Sequence, residues 1–120
     1  MNLFQICDIT LNSGQKSDFK IECDALQKED WECLAQMASK KIKFKEVVSV
    51  PTGGDIFAEC LQKYSIDDDN LPIVICDDVL TTGGSMERKK AELTDDNIIG
   101  IVAFARGECP DWIQTIFKMD

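Results

Sequence analysis

Residues 73–86 read Ile-Val-Ile-Cys-Asp-Asp-Val-Leu-Thr-Thr-Gly-Gly-Ser-Met, an apolar run followed by two acids, a polar glycine loop and helix-favouring residues. Such an apolar run is typical of a strand that is buried on both faces of a parallel sheet. Glycines let backbone N–H groups converge on an anion, and the start of a helix adds the positive end of its dipole. The stretch therefore predicts a strand, a phosphate-binding loop and a helix, in that order.

The polar residues of this stretch divide into two groups. The first is the acid pair Asp77 and Asp78, and the second is the loop Thr81, Thr82, Gly83, Gly84 and Ser85. Hydroxyls and N–H groups of the loop can donate to a phosphate without any lysine, and the acids can accept hydrogen bonds from the hydroxyls of an attached ribose. We interpret the stretch as a site for the 5-phosphate and ribose of a phosphoribosyl group. An acidic turn that caps a helix is the alternative, but it does not explain the order of the residues.

Strands and helices alternate on both sides of this stretch. Residues 46–50 form a β-branched run that ends in Pro-Thr-Gly-Gly, and a helical spacing of apolar residues follows up to position 64. Residues 72–76 and 98–104 are predicted strands, residues 85–93 favour a helix, and residues 112–117 are expected to add an edge strand. This alternation predicts an α/β fold with a mostly parallel sheet flanked by helices. Both glycine loops are then expected at the carboxyl ends of the strands, where such sheets bind ligands.

The first forty residues are predicted to contain a cover and one helix. Residues 9–11 and 17–21 are expected to be extended pieces around an Asn12-Ser13-Gly14 turn. Asp24 and Gln27 resemble a capping box, and the apolar spacing predicts a helix over residues 25–40. The apolar face of this helix is predicted to consist of Leu26, Cys33, Leu34, Met37, Ala38 and Ile42.

Composition favours a single globular domain over residues 1–120. The net charge of −9 argues against nucleic acid as a partner, because binding to phosphate backbones needs clustered Lys and Arg. No run approaches the roughly 18 apolar residues that cross a membrane, and the N-terminus has no leader pattern, so we expect no membrane partner and a cytoplasmic location. The six cysteines are irregularly spaced and there is no histidine, which predicts reduced, mostly buried thiols rather than a zinc site.

The stretch 73–86 resembles the signature of type I phosphoribosyltransferases, in which paired acids contact ribose and the following loop holds the 5-phosphate. Three further segments resemble the orotate phosphoribosyltransferases of that family, in the family's order. Residues 10–19 resemble the segment that covers the base pocket, residues 48–54 the pyrophosphate loop, and residues 101–108 a strand ending in an arginine that reads the base. The resemblance implies a compact type I phosphoribosyltransferase-like fold with a short N-terminal hood.

The activity implied by this resemblance is transfer of the phosphoribosyl group of phosphoribosyl pyrophosphate (PRPP) to a nucleobase, orotate or a related pyrimidine. Mg²⁺ is the implied cofactor, pyrophosphate is released, and the family forms homodimers. Besides the 5-phosphate loop, the resemblance assigns Asp77 and Asp78 to ribose and, through water or ribose hydroxyls, to Mg²⁺, then Thr52, Gly53 and Gly54 to pyrophosphate, and Arg106 and Phe19 to the base. No residue is assigned as the catalytic acid.

The chain departs from the family pattern in three places. The family's flexible loop with lysine and histidine is missing, since only residues 65–71 separate the second predicted helix from the next strand. Thr52 stands where a basic residue is common, and Asn12 and Lys20 stand where the family commonly has a lysine and an aromatic ring. Two alternatives therefore remain: a non-catalytic sensor or regulatory protein that binds PRPP or a nucleotide, and a scaffold or inhibitor that binds a partner through residues 109–112.

Overall fold

A four-stranded parallel sheet with helices on both faces forms the centre of the computed structural model, which describes residues 1–11 and 14–119. The elements are β1 (Phe4–Thr10), β2 (Lys16–Ile21), α1 (Lys28–Lys41), β3 (Glu46–Ser49), α2 (Asp55–Gln62), β4 (Ile73–Leu80), α3 (Gly84–Glu92), β5 (Ile98–Arg106) and β6 (Ile113–Met119). The strand order is β3-β4-β5-β6, and all neighbouring pairs are parallel. β1 and β2 form a separate antiparallel pair. The predicted α/β fold with a mostly parallel sheet and an N-terminal hood is confirmed.

β4 is buried on both faces, as its apolar sequence predicts. Val74 and Cys76 pack in one hydrophobic cluster with α1 and α2, whereas Ile75 packs in a second cluster with Met86 of α3. Alternate side chains of a strand point to opposite faces of the sheet, so β4 joins the two layers of the core. This double packing fixes the end of β4, from which the acid pair projects.

The start of α1 differs from the sequence-based prediction. The residues Cys23–Ala25 form a short 3-10 turn, and the capping box is made by Gln27 and Asp30 instead of Asp24 and Gln27. The N–H of Gln27 donates to Asp30 Oδ2 at 2.8 Å. The helix therefore begins at Lys28 rather than at residue 25.

The buried face of α1 consists of Trp31, Leu34, Ala35 and Ala38. These positions are spaced as one helical stripe, and Trp31 lies 5.4 Å from the ring of Phe57 on α2. The predicted face was wrong for Cys33 and Met37, which are exposed. The stripe follows Trp31, and the two mispredicted residues lie outside it.

The expectation of mostly buried thiols was also wrong. All six cysteines are free, but only Cys60 and Cys76 are buried, while Cys33 is exposed and the others are half-buried. A small domain has too little interior for every apolar or thiol side chain. Among the described residues, no helix is long and apolar enough to span a membrane. The single domain, the homodimer and the cytoplasmic location stay predictions.

Residues 107–112 connect β5 to β6 without a helix. β6 lies parallel to β5, with Gly100 opposite Ile113 and Arg106 opposite Met119. The connection must return along about 20 Å of β5, whereas the seven Cα–Cα steps from Arg106 to Ile113 reach about 23–25 Å when extended. The return segment is therefore short, with little slack, and it ends in a turn in which the N–H of Ile113 donates to Pro110 O at 3.0 Å.

Trp112 at the end of this connection is held by α3. Its Nε1 donates to Glu87 Oε1 at 2.7 Å, and Lys90 Nζ lies 4.6 Å from the ring centroid. The side chain also packs near Gly100 of β5. The scaffold alternative depended on this segment binding a partner, and its tryptophan instead packs on the protein itself.

Candidate functional site

The acid pair lies within β4. The predicted end of this strand at residue 76 was wrong, because β4 continues to Leu80 and pairs with β5 as far as Ala105. Asp77 is opposite Val102 of β5, and both acids are partly buried. The rigid strand, rather than a loop, therefore sets the positions of Asp77 and Asp78.

A cavity of about 520 Å³ opens at the carboxyl ends of β4 and β5. Both acids, all five residues of the predicted 5-phosphate loop, and Arg106 line this cavity. The hood covers one side of it with Ile9, Leu11, Lys20 and Ile21. The structure thus brings the predicted ribose and 5-phosphate residues together in one place.

The 5-phosphate loop turns sharply into α3. Gly83 has a φ of +84°, a left-handed conformation that side chains other than glycine rarely adopt, and it is the N-cap of the helix. The N–H of Gly84 lies 3.4 Å from Thr82 Oγ1. Buried Met86 fixes the first turn of the helix in the core. The loop and the positive end of a nine-residue helix consequently line the same cavity.

Arg88 also lines the cavity, and sequence reasoning missed it. It begins the second turn of α3, and its Nη2 donates to Ser85 Oγ at 3.1 Å. The spacing of three residues between Ser85 and Arg88 is the one sequence signal for this contact, because residues three apart are neighbours on a helix. An exposed arginine on a helix is ordinarily read as a solvated surface residue, which is why the signal was passed over.

Burial raises the pKa of Asp77 to about 7, and its side-chain hydrogen bond with Asp78 adds to the rise. Asp77 Oδ1 accepts the N–H of Asp78 at 2.8 Å, and Asp78 Oδ1 accepts the N–H of Val79 at 2.7 Å. A hydrogen-bond donor or a cation at the pair would favour the charged form. The site is therefore suited to a ligand that brings hydroxyl donors or a metal ion.

Asp78 lies between the first cavity and the second glycine turn. A second cavity, of about 320 Å³, lies on the other side of this residue and is lined by Thr52 and Gly53 of the predicted pyrophosphate turn. A Cβ at Gly53 would lie 2.7 Å from Asp78 Oδ2, so only glycine permits this approach. The peptide bond between Pro51 and Thr52 is cis. The sequence prediction that both turns share the edge of the sheet is confirmed.

The N–H groups at the start of α2 are used within the turn itself. Gly54 donates to Val50 O at 2.9 Å, and Asp55 donates to Thr52 O at 3.1 Å. Gly54 is buried, and a Cβ there would lie 2.6 Å from Cys76 O. Contrary to the expectation from the sequence, the Gly54 N–H is directed at the backbone and not at an anion.

Carboxylates dominate the second cavity. Asp24, Asp55 and Asp78 line it, and none of the described residues that line it is Lys or Arg. Burial, together with the charges of Asp78 and its acidic neighbours, raises the pKa of Cys23 in this cavity to about 12. The Oδ1 of Asp55 accepts the hydroxyl of Ser49 at 2.5 Å. An anion such as pyrophosphate would need a bridging cation here.

Arg106 connects the end of β5 to the hood. Its Nη1 donates to Ser17 Oγ at 2.9 Å and its Nη2 donates to Phe19 O at 2.8 Å. The guanidinium also lies 4.0 Å from the centroid of the Phe19 ring. Phe19 lines neither cavity, and its ring packs against the guanidinium of Arg106. Residues 12 and 13 of the predicted hood turn lie outside the described residues.

Groups of three or more metal-ligating side chains are absent from the described residues. The chemistry of the acid pair nevertheless fits Mg²⁺, which is usually bound by one or two carboxylates together with water and the phosphates of a substrate. Asp77 and Asp78 are the residues that would hold such an ion, directly or through water.

No protein-family model matches this sequence, and the comparison with curated proteins finds no match. Solved structures do resemble the fold. Orotate phosphoribosyltransferase from Aeropyrum pernix superposes with a TM-score of 0.77 at 18% identity, covering 98% of this chain and 88% of that protein.

Two further structures extend this comparison. UMP synthase from Leishmania donovani gives a TM-score of 0.73 at 14% identity, with 98% of this chain matching 34% of that protein. A purine phosphoribosyltransferase from Pyrococcus horikoshii gives 0.54 at 19% identity, covering 78% of this chain and 83% of the other. The chain therefore has the fold of the type I phosphoribosyltransferases.

Proposed function

We propose that the protein binds PRPP with Mg²⁺ and transfers its phosphoribosyl group to a nucleobase, orotate or a related pyrimidine, releasing pyrophosphate. The observation that carries this proposal is the cavity in which Asp77 and Asp78 lie beside the whole loop 81–85. The fold supports it, because orotate and purine phosphoribosyltransferases share this architecture.

The phosphoribosyl half of PRPP matches the first cavity group by group. The 5-phosphate would accept hydrogen bonds from the loop hydroxyls and from the N–H groups at the start of α3. The ribose hydroxyls would donate to the carboxylates of Asp77 and Asp78, which favours the charged form of Asp77. Both anchors belong to rigid elements, so the ribose C1 would be held in one orientation for attack by a base.

The pyrophosphate half of PRPP would extend past Asp78 towards Thr52 and Gly53. Because the second cavity is lined by carboxylates, PRPP would enter it as a Mg²⁺ complex. A Mg²⁺ ion held by Asp77 and Asp78 would supply positive charge to stabilise pyrophosphate as a leaving group. The role of the protein here would be to keep Gly53 against Asp78, so that the ribose and the pyrophosphate of PRPP are held together.

The base end of the site is provided by Arg106. Two of the five N–H donors of an arginine are used by Ser17 and Phe19, which leaves others for an acceptor in the cavity. A guanidinium pairs well with a carboxylate, the group that distinguishes orotate from uracil. Orotate is therefore the first base to test.

A second candidate function is a PRPP or nucleotide sensor without turnover. The observation that favours it is the short segment 63–72 between α2 and β4, which replaces the catalytic loop implied by the family resemblance. The chain also has no histidine to act as a proton donor. Transfer would depend on positioning and charge stabilisation alone, so we expect a slow enzyme if it is one.

Phosphorus NMR of PRPP mixed with the protein tests the proposal. Spectra would be recorded with Mg²⁺, with EDTA, and then with Mg²⁺ after adding orotate, uracil or a purine base. Each spectrum would be compared with PRPP in the same buffer without protein, because Mg²⁺ alone shifts the pyrophosphate signals of PRPP. We expect the protein to shift or broaden the PRPP signals in Mg²⁺ but much less in EDTA, and pyrophosphate to appear only after a base is added.

Each outcome separates the candidates. Pyrophosphate released with one base identifies the transferase and its acceptor, whereas shifted PRPP signals without release identify the sensor. Unchanged PRPP signals in Mg²⁺ would contradict both.

A further inference from the structure

Three cationic side chains of the described residues line the first cavity, and two of them already have a carboxylate or a backbone carbonyl as partner. Lys20 forms an ion pair with Glu22 at 2.6 Å. Arg106 donates to Ser17 and Phe19 of the hood. Arg88 differs, because within the described part of the chain it has neither a carboxylate nor a backbone carbonyl as partner. Its full positive charge is therefore available to a ligand.

The guanidinium of Arg88 lies over the start of α3. Nη2 donates to Ser85 Oγ at 3.1 Å, and Nη1 would be 3.5 Å from a Cβ at Gly84. Both neighbours belong to the loop that lines the cavity. Arg88 thus adds a side-chain cation to the positive end of the helix dipole at the same place.

The contact with Ser85 also directs the serine hydroxyl. A hydroxyl can donate one hydrogen bond, and Ser85 Oγ here accepts a hydrogen bond from Arg88 Nη2. The proton of Ser85 itself is then free for another acceptor. A phosphate at the loop could accept from Ser85 and from Arg88 at once, and hydrogen bonds from a charged donor are about twice as strong as neutral ones.

We infer that Arg88 binds the 5-phosphate of ribose 5-phosphate ligands and orients Ser85 towards it, which makes it a residue that determines specificity for phosphorylated over unphosphorylated ribose. This inference rests on the proposed phosphoribosyl site and assigns the cation that completes it. It also predicts that the 5-phosphate half binds without a metal ion, unlike the pyrophosphate half.

The test measures ribose 5-phosphate binding by calorimetry in EDTA, with wild type and three variants. Arg88→Gln removes the charge but keeps a polar side chain, and we expect the affinity to fall by at least about tenfold. Lys89→Gln is the matched control, because Lys89 is the next residue of α3, pairs with Glu92 and does not line the cavity. We expect this control to stay within about twofold of wild type, since surface ion pairs contribute little.

Arg88→Lys distinguishes binding from a structural role. A lysine restores the charge but not the planar fork, so we expect partial recovery of ribose 5-phosphate affinity. Unphosphorylated ribose should bind all four proteins equally weakly. A loss of ribose 5-phosphate affinity that Lys89→Gln reproduces would overturn the inference, because it would show a general charge effect.

The remaining outcomes separate the inference from the proposed function. If wild type binds ribose 5-phosphate and Arg88→Gln binds it equally well, Arg88 is not the phosphate residue and the proposed site stands. If wild type does not bind ribose 5-phosphate at all in EDTA, the role of Arg88 fails, and the proposed function is decided separately by the phosphorus NMR of PRPP in Mg²⁺.

Discussion

The two glycine turns look alike in sequence but differ in how they use their backbone. Thr82-Gly83-Gly84 leads into α3 with hydroxyls, a helix start and Arg88 around an open cavity. Thr52-Gly53-Gly54 leads into α2 with two N–H groups bonded inside the turn and carboxylates around it. The first turn is equipped to bind an anion by itself, whereas the second needs a cation between itself and an anion.

This difference shows what a glycine pair does in each place. Gly83 provides a left-handed conformation for the turn that leads into α3. Gly53 and Gly54 provide close packing, the first against Asp78 and the second against the backbone of Val50 and Cys76. The same glycine pair therefore shapes a turn beside an open cavity in one place and allows close packing in the other.

The largest effect is expected from Gly54→Ala. The new Cβ would lie 2.6 Å from Cys76 O and 2.9 Å from Val50 O, and both are backbone atoms that cannot rotate away. We expect the free energy of unfolding to fall by about 3 kcal/mol, measured by urea denaturation. Equal stability of variant and wild type would show that the turn is looser than described.

Gly84→Ala is the matched change in the other turn. A Cβ at Gly84 would meet only Arg88 Nη1 at 3.5 Å and Thr82 Oγ1 at 3.7 Å, which are ordinary contacts. Alanine also reduces the conformational freedom of the unfolded chain, so we expect stability within about 1 kcal/mol of wild type, on the stabilising side. A loss as large as that of Gly54→Ala would remove the distinction between the two turns.

A smaller and more selective effect is expected from Asp78→Asn. Asp78 lines both cavities, so the loss of its charge should weaken PRPP binding in Mg²⁺ by about tenfold while leaving binding of inorganic phosphate unchanged. Calorimetry with both ligands measures the two affinities. Asp67→Asn makes the same charge change at an exposed position and should alter neither. Equal losses for PRPP and phosphate would contradict the division of the site at Asp78.

The smallest effect concerns the pH dependence of stability. The pKa of Asp77 is raised from 3.8 to about 7 in the folded protein, so the native state retains a proton that the unfolded state has released. The contribution of this carboxyl to stability is therefore complete below about pH 4 and declines as the pH rises towards about 7. Because the carboxyl is only partly buried, we expect a decline on the order of 1 kcal/mol.

Asp77→Asn isolates this contribution, since asparagine does not titrate. The free energy of unfolding of both proteins would be measured by urea denaturation at pH 5 and pH 8. The difference between the two proteins should shift in favour of Asp77→Asn at pH 8, because only wild type loses the contribution of this carboxyl. A difference between the two proteins that is the same at both pH values would mean that Asp77 has its ordinary pKa.

Most of the fold could be predicted because the apolar runs of β4 and β5 have no alternative but a buried parallel sheet. The errors lie where long-range pairing or a local competitor decides. β4 extends over Asp77 and Asp78 because β5 supplies partners, which propensity cannot reveal. The start of α1 was predicted too early because two capping patterns overlap there. Gln27 and Asp30 form the capping box, whereas the earlier pair Asp24 and Gln27 does not.

The site could be predicted where its residues are contiguous in sequence. It could not be predicted where a side chain reaches the site from the next turn of a helix. The loop 81–85 is contiguous, so its chemistry can be read directly. Arg88 reaches Ser85 because residues three apart are neighbours on a helix. The amides of Gly54 and Asp55 are occupied by hydrogen bonds that depend on the shape of the turn. Whether an N–H group is free to bind a ligand depends on the conformation of the protein, and the amino-acid composition does not reveal it.

The short segment 107–112 also limits which changes of length the chain tolerates at this edge of the sheet. Insertions there cost little, because slack can be accommodated at the surface. A deletion would leave the return too short and shift β6 by one residue against β5. Since successive side chains alternate between faces, that shift would turn buried Ile113 outward and bring Gln114 into the core. The connection can thus be lengthened, even by a helix, but it can hardly be shortened without changing the register of β6.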